Sequence, residues 1–153
     1  MLPTPKKVTV VAGSGEGDHK LTAFDNALLA AGIGNLNLIK VSSILPPECE
    51  LVERLDIPPG SLTPTAYGSL VSDVKGDRIA AAVAVGFSDR DYGTIMEYSG
   101  HCSREEAERA VRAMVEEAFR RRGMALRDVR VAATEMVVGD RPGAVVAAAV
   151  LWY

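Results

Sequence analysis

The sequence predicts an α+β domain built on largely antiparallel sheet, and three observations carry that prediction. Two stretches have helical periodicity, six or seven have the β-branched or alternating character of strands, and several strand neighbours are joined by turns too short for a crossover helix. In addition, "AAVAVGF" and "AVVAAAV" are apolar on both faces, so each side of these strands needs cover, and a second sheet would supply it.

The elements follow in order. "KVTVVA" is a β-branched strand that should stop at the glycines of "GSGEG". In "LTAFDNALLAAGIG", Leu21, Phe24, Leu28 and Ala31 fall on one helical face, and Gly32 supplies the stop. "NLNLIKVSS" alternates Leu36, Leu38 and Lys40 with Asn37, Ile39 and Val41, a strand ending at the serines. The proline-crowded "ILPPECELVERLDIPPGSLTP" should be an ordered excursion with few ladder hydrogen bonds. Strands follow at "AYGSLVSDV", "RIAAAVAVGF" and "GTIMEYSG", the first two joined by the turn "KGD".

The next helix is the most strongly marked element. In "SREEAERAVRAMVEEAFRRRG", Ser103 and Glu106 form a capping box, while Ala107, Ala110, Val111, Met114, Val115, Ala118 and Phe119 make one apolar face. Acidic residues occupy its first turn and Arg120, Arg121 and Arg122 its last, as the helix dipole favours, and Gly123 ends it. Strands "DVRVAATEMVV" and "GAVVAAAVLWY", separated by "GDRPG", close the chain.

With 153 residues and 48% apolar content, the chain suffices for one domain core and is too short for two. A net charge of −3, with Lys and Arg dispersed, lacks the footprint of a nucleic-acid binder. No apolar run reaches the roughly 20 residues that span a bilayer, and "MLPTPKKVTV" has no signal-peptide order, so a cytoplasmic protein is expected. Cys49 and Cys102 are expected to be free thiols; neither with each other nor with His19 and His101 do they have zinc-motif spacing, so no metal site is expected.

Several residues carry chemistry without declaring it. "GSGEG" precedes a helix as a phosphate loop would, but it lacks the lysine and hydroxyl spacing, and Glu16 and Asp18 would repel a phosphate, so a structural turn is expected. Glu97 interrupts an otherwise apolar strand: either it lies on a solvated face or it points into a cleft, where burial would raise its pKa and make it a proton donor. Asp25 is either the polar side of a helix or a partner for a cation, and Asn37 sits in a strand that disfavours asparagine. Ser42 and Ser43, taken alone, read as a turn starter, with no nucleophile elbow and no order of Ser, His and Asp to activate a hydrolase serine.

Taken together, "VVAGSGEGDHKLTAFDNALLAAGIGNLNLIKVSSILPPECE", "PTAYGSLVSDV", "GTIMEYSGHCSREEAERAV" and "AAAVLWY" closely resemble the pyruvoyl-dependent arginine decarboxylases, from about Val8 to Tyr153. That resemblance implies a four-layer αββα sandwich with mostly antiparallel sheets, one domain over residues 1–153. It also implies a proenzyme that cuts itself between Ser42 and Ser43, giving a β chain of residues 1–42 and an α chain of residues 43–153. Ser43 would become a covalent pyruvoyl cofactor, forming a Schiff base with L-arginine and releasing agmatine and carbon dioxide for polyamine synthesis. Asn37 would polarise the Ser42 carbonyl, Glu97 would return a proton to the substrate carbon, and Asp25 would bind the guanidinium. Trimers or hexamers of αβ units are implied, with sites between neighbours. The alternatives are a pyruvoyl decarboxylase of another amino acid, such as aspartate, and a non-catalytic trimeric scaffold of the same fold.

Overall fold

The computed structural model describes residues 2–153. Among them are β1 (Lys7–Glu16), α1 (Lys20–Ala30), β2 (Asn37–Lys40), β3 (Ile44–Leu45), β4 (Glu50–Leu51), β5 (Leu62–Ser72), β6 (Arg78–Phe87), β7 (Gly93–Gly100), α2 (Arg104–Arg122), β8 (Asp128–Val137) and β9 (Gly143–Trp152). The strands form two sheets, ordered β2-β5-β9-β1-β4 and β3-β7-β6-β8. All pairings are antiparallel except β1 with β4 and β2 with β5, which confirms the α+β class.

Three buried clusters account for the packing. Ala23, Ala27 and Leu28 of α1 meet Ala144, Val146 and Ala148 on one face of β9. The opposite face of β9, with Val145, Ala147 and Ala149, meets Ala81, Val83 and Val85 of β6, so the sheets lie face to face. Ala80, Ala82 and Ala84, on the other side of β6, meet Ala107, Val111, Val115 and Phe119 of α2. The continuous apolar runs thus belong to strands covered on both faces, as expected.

α2 ends as its sequence requires. Ser103 accepts a hydrogen bond from the Glu106 N–H at 3.2 Å, its own N–H donates to Glu106 Oε1 at 3.3 Å, and Gly123 stops the helix with φ of +65°. The start of the chain departs from expectation. "GSGEG" is not a turn: β1 runs through Gly13 and Gly15 to Glu16, pairing with β9 all the way. These glycines are there for α1. A Cβ at Gly13 would stand 2.6 Å from Ala27 O, and one at Gly15 2.6 Å from Ala27 N, so the helix backbone rests directly on the strand.

That close approach also resets the buried face of α1. Ala23 and Ala27 are its fully buried residues, whereas Leu21, expected inside, is 76% exposed. The proline-rich excursion contributes β3 and β4, of two residues each, and runs into the first three residues of β5. Pro64 is tolerated within β5 because the pairing to β9 begins only at Thr65, so its missing N–H interrupts no bond there.

The two sheets are not equally wide. Where β5 faces β7, the first sheet continues to β2, but the second continues only to the two-residue β3. The inner face beyond β5 is therefore open, and Ile39 and Leu62 are 48% and 67% exposed.

Candidate active site

The two serines lie where the chain steps from one sheet to the other. Upstream, β2 belongs to the first sheet, and the Val41 N–H still donates to Thr65 O at 3.1 Å. Downstream, β3 belongs to the second, and the Ser43 carbonyl accepts from the Ile95 N–H at 2.8 Å. Only Ser42, exposed, stands between these anchors, so the bond joining it to half-buried Ser43 is the crossing itself. Beside it is a cavity of about 250 Å³, lined by Val41, Ser42, Ile44, Pro64, Leu151 and Tyr153 together with the N-terminal prolines.

Glu97 comes to this crossing by register. Ile44 pairs with Thr94 and Leu45 with Gly93, so Ser43 stands opposite Ile95, whose side chain is in the core between the sheets. Glu97, two residues on, shares that face, and such diagonal neighbours are about 7 Å apart. Across the gap is Gly68 of β5, where a Cβ would be only 3.3 Å from Cβ and Cγ of Glu97. Next to it the Ser99 hydroxyl donates to Ser69 O at 3.0 Å, tying the two sheets together. Glu97 is half-buried, and burial pushes its carboxyl above the ordinary range, opposed by the Lys40 charge and by its own backbone N–H. Lys40 is held aside, its Nζ 4.8 Å over the Tyr67 ring. Glu97 is thus a half-buried carboxyl facing the other sheet.

Two other candidates stand apart. Asn37 does not reach the Ser42 carbonyl within one chain. Its Nδ2 donates to Gly60 O at 3.0 Å, at the far end of β2, and five residues of extended chain span roughly 16 Å. Within the chain this hydrogen bond ties the start of β2 to the loop before β5. Asp25 is exposed on α1, on the opposite side of the first sheet from Glu97, with no ion pair or side-chain hydrogen bond among the described residues. One chain alone therefore brings Ser42, Ser43 and Glu97 together and leaves Asp25 facing outward.

The sequence reading missed Lys40, Gly68 and Ile95. A glycine inside the strand-like "AYGSL" was the one available signal, since such a residue marks a close approach; the Ile95 contribution is a backbone N–H and leaves no trace in composition. A cavity of about 530 Å³ opens on the outer face of the first sheet beneath Glu53 to Ile57 and contains none of the expected site residues. Among the described residues no cluster of His, Cys, Asp and Glu could hold a metal, and no helix is long and apolar enough to cross a membrane. Both cysteines are free thiols, and burial pushes Cys49 up to about 11.

Comparison with known proteins gives the family. Residues 7–153 match the family model described as pyruvoyl-dependent arginine decarboxylase. The chain is 49% identical over 152 residues to the pyruvoyl-dependent arginine decarboxylase of Pyrococcus abyssi, covering 97% of this chain and 96% of the relative. It is 50% identical over 151 residues to that of Thermococcus sibiricus, with coverage of 97% and 96%. With that of Methanocaldococcus jannaschii the identity is 50% over 151 residues, with coverage of 97% and 91%.

Proposed function

Because the chain belongs to the pyruvoyl-dependent arginine decarboxylase family, we propose that it is a single-domain proenzyme that cuts itself between Ser42 and Ser43 and then decarboxylates L-arginine to agmatine. The observation that carries this reading is the Ser42–Ser43 bond at the crossing between the sheets, with Glu97 on the same inner face.

Maturation needs a hydroxyl that can attack and later leave. Ser43 Oγ adds to the Ser42 carbonyl, and the amide bond yields to an ester. Loss of the Ser43 α-proton then breaks the Cβ–O bond, leaving a carboxylate on Ser42 and closing the β chain, residues 1–42. Water replaces the nitrogen of the remaining dehydroalanine as ammonia, and the α chain, residues 43–153, begins with a pyruvoyl group. The anchors at Val41 and Ser43 support this chemistry by restraining the residues on either side of the reacting bond, so that little freedom remains to be lost in reaching the reactive geometry.

The residues around Ser43 fit the resulting group. Its place is half-buried beside the apolar core, close to one carboxyl and free of other buried charge. The group supplies an electron sink for the pair released with carbon dioxide. Glu97 would give a proton back to the substrate carbon, and the burial that raises its pKa favours the protonated form this role needs. A carboxylate such as Asp25 matches a guanidinium in shape and charge, and its outward position suits a site completed by a neighbouring copy. Exposed Leu21, Leu62 and Ile39 support assembly as a trimer or a pair of trimers in which that neighbour is supplied. The free thiols suit the cytoplasm.

The test is carbon dioxide release from arginine and from aspartate by purified, cleaved protein. Release from arginine supports the reading. Release from aspartate alone would move it to another pyruvoyl decarboxylase, and release from neither by fully cleaved protein would favour a scaffold.

A further inference from the structure

The oxygen that accepts from the Ile95 N–H at 2.8 Å is the carbonyl oxygen of residue 43 itself. Self-cleavage breaks the bond on the amino side of that residue and alters its nitrogen, Cα and Cβ. Its own carbonyl remains, in amide linkage to Ile44, joined directly to the carbon that becomes the ketone. In turnover, the electron pair left behind by carbon dioxide is conjugated with this carbonyl, and part of the negative charge arrives on its oxygen. Resting on the decarboxylase reading above, we propose that the Ile95 backbone N–H is a catalytic donor that stabilises the charge developing on the residue-43 carbonyl oxygen during decarboxylation.

Three features favour this over an ordinary sheet-end hydrogen bond. First, the donor is fixed: Ile95 is paired with Val85 on its other side, within the antiparallel ladder of β6 and β7, so no reorganisation is needed when charge appears. Second, it is dry. Ile95 is fully buried, and a hydrogen bond to a charged oxygen is worth far more there than in water. Third, the directions do not conflict. The N–H lies in the plane of the sheet, pointing toward the β3 side, whereas Glu97, two residues along, projects from the inner face. One strand can thus stabilise the charge from the side and deliver the proton from above.

The experiment replaces Ile95 with 2-hydroxy-3-methylpentanoic acid, exchanging the N–H for an ester oxygen and keeping the side chain. The same exchange at Val52, whose N–H donates to Val8 O at 2.9 Å at the edge of the first sheet, removes one comparable bond far from the site. Three readouts apply to both proteins: intact mass for cleavage, the ¹³C shift of the labelled residue-43 carbonyl, and kcat with KM for arginine. Both should cleave. The Ile95 ester should show an upfield carbonyl shift and a kcat about 100-fold below that of the Val52 ester with little change in KM, the scale on which oxyanion donors act. Equal kcat in the two esters, an unmoved carbonyl signal, or failure of the Ile95 ester alone to cleave would overturn the assignment. Failure of the unmodified protein to cleave or to release carbon dioxide would instead overturn the decarboxylase reading.

Discussion

Where β6 faces β9, the inward side chains are aliphatic: Ala81, Val83 and Val85 meet Val145, Ala147 and Ala149, all fully buried. One strand over, β7 faces β5, and the inward positions after Ile95 are Glu97 and Ser99, set against Gly68 and the carbonyl of Ser69. The same two sheets make both regions; what differs is their distance from the edge. In the middle a carboxylate would be buried with no partner at a cost of several kcal/mol. At the edge, the second sheet ends in two-residue β3, and Glu97 is only half-buried, with burial raising its pKa. The site occupies the place where one sheet runs out before the other.

The sharpest way to break this contrast is at residue 43. Ser43→Ala removes the hydroxyl that must attack and leave, so the chain should remain whole and inactive, as read by intact mass and carbon dioxide release. Glu97→Gln should cleave normally but lose about 100-fold or more in kcat, the range in which proton donors contribute. If cleavage failed as well, Glu97 would belong to maturation. Gly68→Ala is milder: the new methyl presses on the Glu97 stem by a few tenths of an ångström, and kcat should fall by about 10-fold with cleavage intact.

The pH profile sharpens the electrostatic half of the comparison. With Glu97 as the proposed proton donor, activity should decline as pH rises through its raised pKa. The Lys40 charge favours the ionised form, and Lys40→Met should therefore move this alkaline limb to higher pH. A limb unmoved or moved downward would show that another group titrates there. In the aliphatic middle the expectation reverses: Val145→Ala should cost about 2 kcal/mol of stability, seen in denaturant unfolding, and leave the pH profile unchanged.

How far each part was legible follows from how local its cause is. α2 could be read to its last residue because its cap, apolar stripe, charge bias and stop are all written in its own sequence. β1 could not. Its glycines are typical of turns, and only the helix lying across them explains why a strand would need them. Leu21 fails for the same reason, because periodicity finds an apolar face and cannot say that the positions pressed onto the glycine strand are Ala23 and Ala27. At the candidate site, Ser43 and Glu97 were singled out through a motif combination, and register puts them on neighbouring strands. The Asn37 hydrogen bond to Gly60 O depends on a loop more than twenty residues away, which strand propensity does not encode. Ile95 contributes only backbone, to which residue identity is blind.

The central claim is that the Ser42–Ser43 bond is the reacting bond of this chain, and intact-mass measurement of the purified protein under denaturing conditions tests it most directly. The expected result is two species, residues 1–42 with a free carboxyl terminus and residues 43–153 beginning with a pyruvoyl group. A single 153-residue chain that persists in preparations releasing carbon dioxide from arginine would contradict it.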